Sequence, residues 1–413
     1  MAVFRPFKAF RPKPELAAEV AAKPYDVLNS DEAREEAKGH PLSFLHVGKP
    51  EIDLDPSIDL YDPRVYEKGK ENLQKLIRDG VLVEDSEPYY YIYAQTMFDR
   101  TQYGLVGCAS VDDYWNDVIL KHEKTRKDKE EDRCQHVRVT NAHTGPIFLT
   151  YKDKAEIDEI VNRYIEQKPN TDIITVDGIR HQVWVISDKN DIAKIRELLA
   201  GVDKFYVADG HHRSAAAAIV GRERQQANPN HTGEEEYNFF LAVLFPASHL
   251  YIMDYNRLVK DLNGLSKEEF LAKLEDLFVI NKVEGQFAPK KKGQIGMYLD
   301  GQWYSLDAKE KLFHPEDPVE NLDVSILQQH VLDPILGIDD PRTSKRIDFV
   351  GGIRGLGELE RRVNSGEMAV AFSMYPTSIE ELMAIADAGK IMPPKSTWFE
   401  PKLRDGLFVH FLD

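Results

Sequence analysis

Short apolar runs alternate along the chain with longer stretches whose apolar residues recur at helical spacing. Runs rich in aromatic and β-branched residues predict strands, at residues 43–47, 87–93, 100–110, 239–245 and 369–374. Amphipathic spacing predicts helices, at residues 66–79, 154–167, 191–199, 267–277 and 378–388. Residues 222–236 are polar and predict a loop. The mixed order of strands and helices indicates α/β or α+β layers.

One stretch, residues 204–220, has a sharper pattern than the rest. A short apolar strand is followed by an Asp209-Gly210 turn and then by a helix that contains the run Ala215–Ala218. Alanine is the best helix former, so the helix prediction is strong. His211, His212 and Arg213 stand between the turn and the alanines. A plain turn with solvated polar side chains is the alternative interpretation.

The beginning of this helix has the features of an anion site. The first N–H groups of a helix have no intrahelical acceptor and lie at the partly positive end of its dipole. Gly210 removes a Cβ that would hinder a close phosphate. The three polar residues after it add donors and positive charge. The pattern therefore predicts a phosphate-binding turn.

Composition limits the class of protein. The 413 residues are 42% hydrophobic and 30% charged, which is typical of globular proteins, and this length predicts two or three domains. A net charge of −17 argues against a generic nucleic-acid binder. Cys108 and Cys134 are the only cysteines, and neither an apolar leader nor a membrane-length apolar stretch is evident. We therefore expect a cytoplasmic protein with no nucleic-acid or membrane partner.

Familiar catalytic motifs are absent from the sequence. It has no Walker phosphate loop, no dinucleotide fingerprint and no nucleophile elbow. The adjacent pair His211-His212 points to different helix faces and is a poor metal chelate by itself. An anion-binding helix start with scattered carboxylates suits phosphoryl transfer, which needs positioning, charge neutralisation by Mg²⁺ and a base for the hydroxyl.

The segment Ala208-Asp-Gly-His-His-Arg213 resembles the signature of the ParB/sulfiredoxin superfamily, in particular that of its free L-serine kinases. Lys121-His122-Glu123 is similar to the upstream His-Glu pair of those kinases, although it lies much further from the box than in the compact archaeal enzymes. Residues 366–397 are similar to the end of the archaeal enzymes. Nearly the whole chain also resembles a bacterial family known as domain of unknown function 1015.

This resemblance implies roles for particular residues. Glu123 would accept the proton of the serine hydroxyl, and Asp209 would hold Mg²⁺ or orient the phosphates. The phosphates would be bound by the four residues that follow, Gly210, His211, His212 and Arg213. Further candidates for substrate or phosphate contacts are Lys395, Ser396, Thr397, Arg126, Asp26 and Arg5. From pattern alone, the charged stretch 119–133 favours a solvated helix, and residues 395–397 are equally a turn packed on the core.

The expected fold is α+β, with a ParB/sulfiredoxin-like catalytic region at residues 1–245 and a smaller α/β region at 246–413 that closes the cleft. The expected reaction converts L-serine and a nucleotide, ATP in preference to ADP, to O-phospho-L-serine. A kinase of another small hydroxyl compound and a ParB-like nucleotide-binding regulator are the alternatives. Sulfiredoxin chemistry is disfavoured because its box needs a cysteine where this chain has His211. The sequence is compatible with either a monomer or a homodimer.

Overall fold

The C-terminal residues return to the N-terminal part of the chain in the structure, a computed structural model that describes residues 2–413. One unit comprises the described residues up to Leu250 together with Pro401–Asp413, and the other is Tyr251–Glu400. The sequence placed the boundary at residue 245 and assigned the whole of 246–413 to the second region. Residues 401–413 instead belong to the first unit, because their backbone pairs with segments near residues 10, 22 and 143.

The first unit is built on twelve strands before its C-terminal segment. They are β1 Phe4–Arg5, β2 Phe10–Pro12, β3 Leu82–Glu84, β4 Tyr90–Met97, β5 Arg100–Ser110, β6 Ile119–Leu120, β7 Ala142–His143, β8 Ile147–Tyr151, β9 Thr171–Ile174, β10 Arg180–Ile186, β11 Phe205–Asp209 and β12 Phe239–Pro246. Its α-helices are α1 Ala17–Val20, α2 Ser30–Ala37, α3 Leu45–Gly48, α4 Pro63–Arg78, α5 Val111–Trp115, α6 Lys127–Thr140, α7 Ala155–Ile165, α8 Lys189–Ala200 and α9 His211–Ala227.

Nine of these strands form one mixed sheet. The strand order is β6-β11-β8-β12-β5-β4-β10-β9, with β1 beside β5. The pairs β6/β11 and β8/β12 are parallel, and the other pairings are antiparallel. Together with nine helices, this sheet confirms the α+β class; the ParB/sulfiredoxin assignment stays a prediction.

The strand and helix around the Asp209-Gly210 turn lie in the protein interior. Residues Phe205 to Ala208 of β11 are buried, and the run Ala215–Ala218 of α9 is buried on every side. Small alanine side chains let α9 approach both the sheet and α6, where Cys134 and Val137 pack against Ala216. The turn between β11 and α9 is therefore held by elements that cannot shift without opening the core.

The second unit has its own sheet and core. Its strands are β13 Ile252–Met253, β14 Tyr255–Val259, β15 Phe278–Val283, β16 Gln294–Leu299, β17 Gln302–Ala308, β18 Ile347–Gly351, β19 Val370–Ser373 and β20 Trp398–Phe399. Its α-helices are α10 Lys267–Glu275, α11 Asp323–Leu327, α12 Leu356–Asn364 and α13 Ile379–Asp387, and a π-helical turn spans Gln328–Leu332.

The sheet of the second unit is antiparallel throughout. Its strand order is β15-β17-β16-β19-β14-β18, and α12 packs Leu359 against Leu258 and Ala371 of this sheet. An antiparallel sheet is not built from βαβ units, so the predicted α/β description of this region is wrong and it is an α+β unit instead. That it closes a cleft stays a prediction.

The last strand, β21 His410–Phe411, pairs antiparallel with β7. Short 3₁₀ turns complete both units, at Pro14–Leu16, Pro50–Asp53, Glu236–Asn238, Ala247–His249, Glu310–Leu312 and Gly352–Arg354. Among residues 2–413, no helix has the length and apolar character needed to cross a bilayer.

Two local predictions are wrong. Residues 43–47 were predicted as a strand, but Leu45–Gly48 is the helix α3, whose apolar residues complete a small core beside α4. A short apolar run does not distinguish a buried strand from a buried helical turn. Residues 222–227 belong to α9 and not to a loop, because arginine, glutamate and glutamine favour a helix that has already begun.

Candidate active site

The candidate site lies where two neighbouring parallel strands end. β6 pairs in parallel with β11, with Phe205 opposite Ile119 and Tyr206 opposite Leu120. Glu123 therefore follows the end of one strand, and Asp209 is the last residue of the other. The carboxyl ends of parallel strands meet at one edge of a sheet, the usual place for a ligand in such folds.

The predicted turn follows Asp209, and its backbone is left-handed at Gly210. Gly210 has φ +89° and ψ 35° in the left-handed region, where residues with a Cβ are strained. Its N–H donates to Oδ1 of Asp209 at 2.9 Å, and the first intrahelical bond runs from Ser214 N to Gly210 O at 2.9 Å. The N–H groups of the intervening first turn have no intrahelical acceptor, so the helix presents them to a ligand.

The Lys121-His122-Glu123 segment lies against the start of this helix. Oε2 of Glu123 is 3.9 Å from Nδ1 of His211, and the rings of His122 and His211 meet edge to face with centroids 4.4 Å apart. The Glu123 side chain is 40% exposed, whereas both imidazoles are buried. Burial lowers the pKa of His211 to about 4, so its ring is neutral at pH 7.

A hydrogen bond fixes the loop that carries Glu123. The backbone N–H of Arg126 donates to Nε2 of His212 at 3.0 Å. The side chain of Arg126, the residue before α6, bonds to Asp128 in the first turn of α6, and its guanidinium stays largely exposed. One nitrogen of His212 is therefore used to hold the 123–126 loop, which brings Glu123 to the helix start.

Lys402 is a member of the site that the sequence did not single out. Its Nζ lies 3.0 Å from Oδ2 of Asp209. Burial disfavours the charge of Asp209, but Lys402 and Arg213 outweigh burial and hold its pKa well below the usual range. Both carboxylate oxygens of Asp209 are thus already engaged, one by Lys402 and one by the Gly210 N–H.

Arg213 points to a second polar cluster beneath the turn. Its Nη1 donates to the Pro146 carbonyl at 2.7 Å and lies 3.9 Å from Oδ1 of Asp405. Burial opposes the charge of Arg213, but Asp26 and Asp405 outweigh burial and raise the pKa of the guanidinium. Burial raises the pKa of Asp405 to about 7, in spite of Arg213. The structure therefore places Asp26 near Arg213, which is one of the residues predicted to bind phosphate.

Arg5 belongs to a different cluster of the first unit. Arg5 stacks on Phe239 and pairs with Glu236 at 2.7 Å, in a cluster that also contains His410. Residues 395–397 belong to the second unit. There Ser396 is buried and bonded to the carbonyl of Pro393, so this turn packs within its own unit.

Comparison with known protein families identifies the chain. The profile described as "Protein of unknown function (DUF1015)" matches residues 4–325. The chain belongs to this family. The DUF1015 assignment carries no reaction with it, and comparison with curated proteins finds no match.

Solved structures similar to this DUF1015 chain include three proteins at low identity. A conserved hypothetical protein from Pyrococcus furiosus is 15% identical, over 71% of this chain and 93% of its own, with a TM-score of 0.35. A free serine kinase in complex with AMP is 13% identical, over 68% and 84%, with 0.33. SbnI from Staphylococcus aureus is 12% identical, over 74% and 87%, with 0.36. At these TM-scores the likenesses establish neither the fold nor the reaction of this chain.

The arrangement has the parts of a group-transfer site. A half-exposed carboxylate, Glu123, lies beside a helix start that offers N–H donors, and Lys402 and Arg213 supply positive charge on the Asp209 side of the turn. An incoming anion with several oxygens would satisfy the donors, and Glu123 would remain available to a nucleophile.

Proposed function

We propose that this DUF1015 protein transfers a phosphoryl group from a nucleotide, ATP in preference to ADP, to the hydroxyl of free L-serine. The observation that carries the proposal is the position of Glu123, whose Oε2 lies 3.9 Å from the imidazole of His211 in the first turn of α9. A base and an anion-binding helix start within one site are what phosphoryl transfer to a hydroxyl requires. Serine is the proposed acceptor because the Asp209–Arg213 box resembles that of the free serine kinases.

Glu123 would orient the attacking hydroxyl and accept its proton. In a loose transition state the proton leaves late, so an ordinary carboxylate suffices as the base. With 40% of its side chain exposed, Glu123 can reach an acceptor that enters from solvent. The neutral His211 ring beside it does not compete for the proton at pH 7, since burial lowers its pKa to about 4.

The phosphates would lie at the start of α9. The N–H groups of the first turn, which have no intrahelical acceptor, would bind the oxygens of the transferred group, and the absent side chain of Gly210 would allow close approach. Lys402 and Arg213 would neutralise the negative charge of the phosphates through charge-assisted hydrogen bonds.

Magnesium bound to the nucleotide would neutralise further phosphate charge in such a reaction. Asp209 was predicted as its ligand, but Lys402 already neutralises this carboxylate at 3.0 Å. A carboxylate that must first release an ammonium partner is a poor cation ligand. We therefore propose that phosphate oxygens hold the Mg²⁺ and that Asp209 orders Lys402 and the turn.

The buried cavity beside Arg213 is too small to be the amino-acid site. Its volume is about 30 Å³, between residues that include Tyr25, Arg133, Arg213 and Asp405. This is space for about one or two water molecules. The serine would accordingly bind on the open side of Glu123.

A transfer assay tests the proposal. Purified protein with Mg²⁺ and either ATP or ADP is offered serine, threonine, homoserine and glycerate, and the products are identified by mass. Phosphoserine as the main product supports the proposal and determines the donor. If a different hydroxyl compound is phosphorylated, that compound is the acceptor in place of serine. Nucleotide binding without any product would instead favour the nucleotide-binding regulator, and the absence of binding would refute both.

A further inference from the structure

Two buried histidines at the edge of the candidate site have polar atoms that no protein group satisfies. Both ring nitrogens of His122 and Nε2 of His211 are buried without a hydrogen-bond partner among the described residues. His122 is 2% exposed and His211 6%. A buried polar atom normally has a partner, because leaving it unpaired costs the desolvation of that atom. Two such rings in contact therefore require an explanation.

A carboxylate completes the group. His122, Glu123 and His211 each offer one ligand atom, and these three atoms lie within 4.8 Å of one another. The two rings meet edge to face at 4.4 Å, and Oε2 of Glu123 is 3.9 Å from Nδ1 of His211. The two rings come from different elements and not from one helix face. His122 follows β6, and His211 begins α9.

We infer that His122, Glu123 and His211 form a binding site for a divalent transition-metal ion of the zinc class. Two imidazoles and one carboxylate, with an open position, are a recurrent ligand set for such ions. An ion bound to His122 would occupy one of two ring nitrogens that have no hydrogen-bond partner among the described residues.

The spacing is compatible with this ion after small side-chain movements. A tetrahedral ion with bonds of about 2.0–2.2 Å holds its ligand atoms about 3.4 Å apart. The Glu123 side chain is 40% exposed, so packing constrains it less than the two buried rings, one of which follows β6 and the other of which begins α9. The open side at Glu123 leaves room for water as a further ligand.

The chemistry of the ligands distinguishes this ion from magnesium. Mg²⁺ prefers oxygen ligands and octahedral geometry, and it seldom binds imidazole. The inferred site is thus separate from the Mg²⁺ that a nucleotide would bring. A metal-bound Glu123 cannot accept a proton, so a bound ion would compete with the role proposed for Glu123 above.

Metal binding can be measured without nucleotide, so its outcome does not depend on the proposed reaction. Tag-free protein, stripped with a chelator, is titrated with Zn²⁺ and, as a spectroscopic probe, with Co²⁺. We expect one ion per chain and the visible absorption of a four-coordinate Co²⁺ site. His122→Ala and His211→Ala should each lose more than roughly 100-fold in affinity, because even outer partners of a metal site are worth roughly 10- to 100-fold.

The matched control is His136→Gln. His136 is equally buried, but its Nε2 already bonds to the Val47 carbonyl at 2.8 Å, so its loss should leave the Co²⁺ spectrum unchanged. Glu123→Gln keeps the shape of the third ligand and should weaken metal binding without affecting folding. It tests the site even if a histidine variant does not fold. Equal Zn²⁺ affinity in wild type, Glu123→Gln and His136→Gln, or no stoichiometric binding in the wild type, would overturn the inference.

Discussion

The carboxylate of Glu123 lies 3.9 Å from the imidazole of His211, although the two residues belong to segments far apart in the chain. The parallel pairing of β6 with β11 produces this contact, because it brings both strand ends to one edge of the sheet. The hydrogen bond from Arg126 N to His212 then holds the intervening loop. The site is therefore assembled by sheet topology and not by local sequence.

Replacing Glu123 by glutamine should abolish phosphoryl transfer and leave nucleotide binding nearly unchanged. Positioned general bases contribute roughly 10²- to 10⁴-fold, so kcat should fall by about that factor. Glu131→Gln is the control, because Glu131 is an exposed glutamate that pairs with Arg138 on the same helix. Steady-state kinetics with calorimetric nucleotide binding separate the two effects. A near-normal rate in Glu123→Gln would remove Glu123 as the base.

Lys402→Met should weaken nucleotide binding. A bond between charged groups is worth about 1.5–3 kcal/mol, so the loss should be roughly 10- to 100-fold in Kd. Lys194→Met, at an exposed lysine paired with Glu197, controls for loss of a surface charge.

The double variant Lys402→Met with Asp209→Asn shows how Lys402 acts. If Lys402 serves mainly to hold Asp209, the two effects on Kd will not add. If Lys402 binds phosphate directly, they will add. Unchanged affinity in Lys402→Met would mean that the 3.0 Å pair with Asp209 is only structural.

Gly210→Ala should reduce both stability and nucleotide binding. The φ of +89° strains any residue with a Cβ, and the new Cβ would lie 3.3 Å from Nε of Arg213. Strain of this kind costs about 1–3 kcal/mol. Thermal unfolding measures the first effect and calorimetry the second.

Gly178→Ala is a matched control for the backbone strain. Gly178 has φ +79° in the β9–β10 hairpin, and nothing lies within 4 Å of a Cβ built there. It should lose stability by a similar amount and keep nucleotide affinity. If Gly210→Ala also keeps full affinity, the start of α9 does not bind phosphate.

Asp405 should make stability depend on pH between about 4 and 7. Its folded-state pKa is raised to about 7, against about 3.9 in an unfolded chain. Its contribution to stability is thus fully present below about pH 4 and is lost as pH rises to about 7. Asp405→Asn resembles the protonated form at every pH.

The Tm of Asp405→Asn relative to wild type should therefore rise steadily from pH 4 to pH 7 and then level off. The full difference should be a few kcal/mol at most, since one pKa unit corresponds to about 1.4 kcal/mol. Thermal unfolding across this range measures it. A difference that is constant with pH would show that Asp405 is ionised throughout, paired with Arg213.

Most long helices and strands were predictable, and each failure has a physical cause. Residues 100–110 form the expected strand, and the helix after Gly210 begins where the turn ends. Residues 43–47 failed because a short buried run fits either a strand or a helical turn. The return of residues 401–413 to the first unit was missed, since nothing local marks which sheet a terminal segment joins.

Local sequence was enough to predict the strand, the Asp209-Gly210 turn and the helix after it. These depend on turn chemistry and helix propensity, which act between neighbours in the chain. Local sequence could not predict that His122 and Glu123 meet His211, that Lys402 pairs with Asp209 or that Asp405 lies beside Arg213. Those contacts join residues far apart in sequence, and they exist because the strand order of one sheet and the path of the C-terminal segment bring them together.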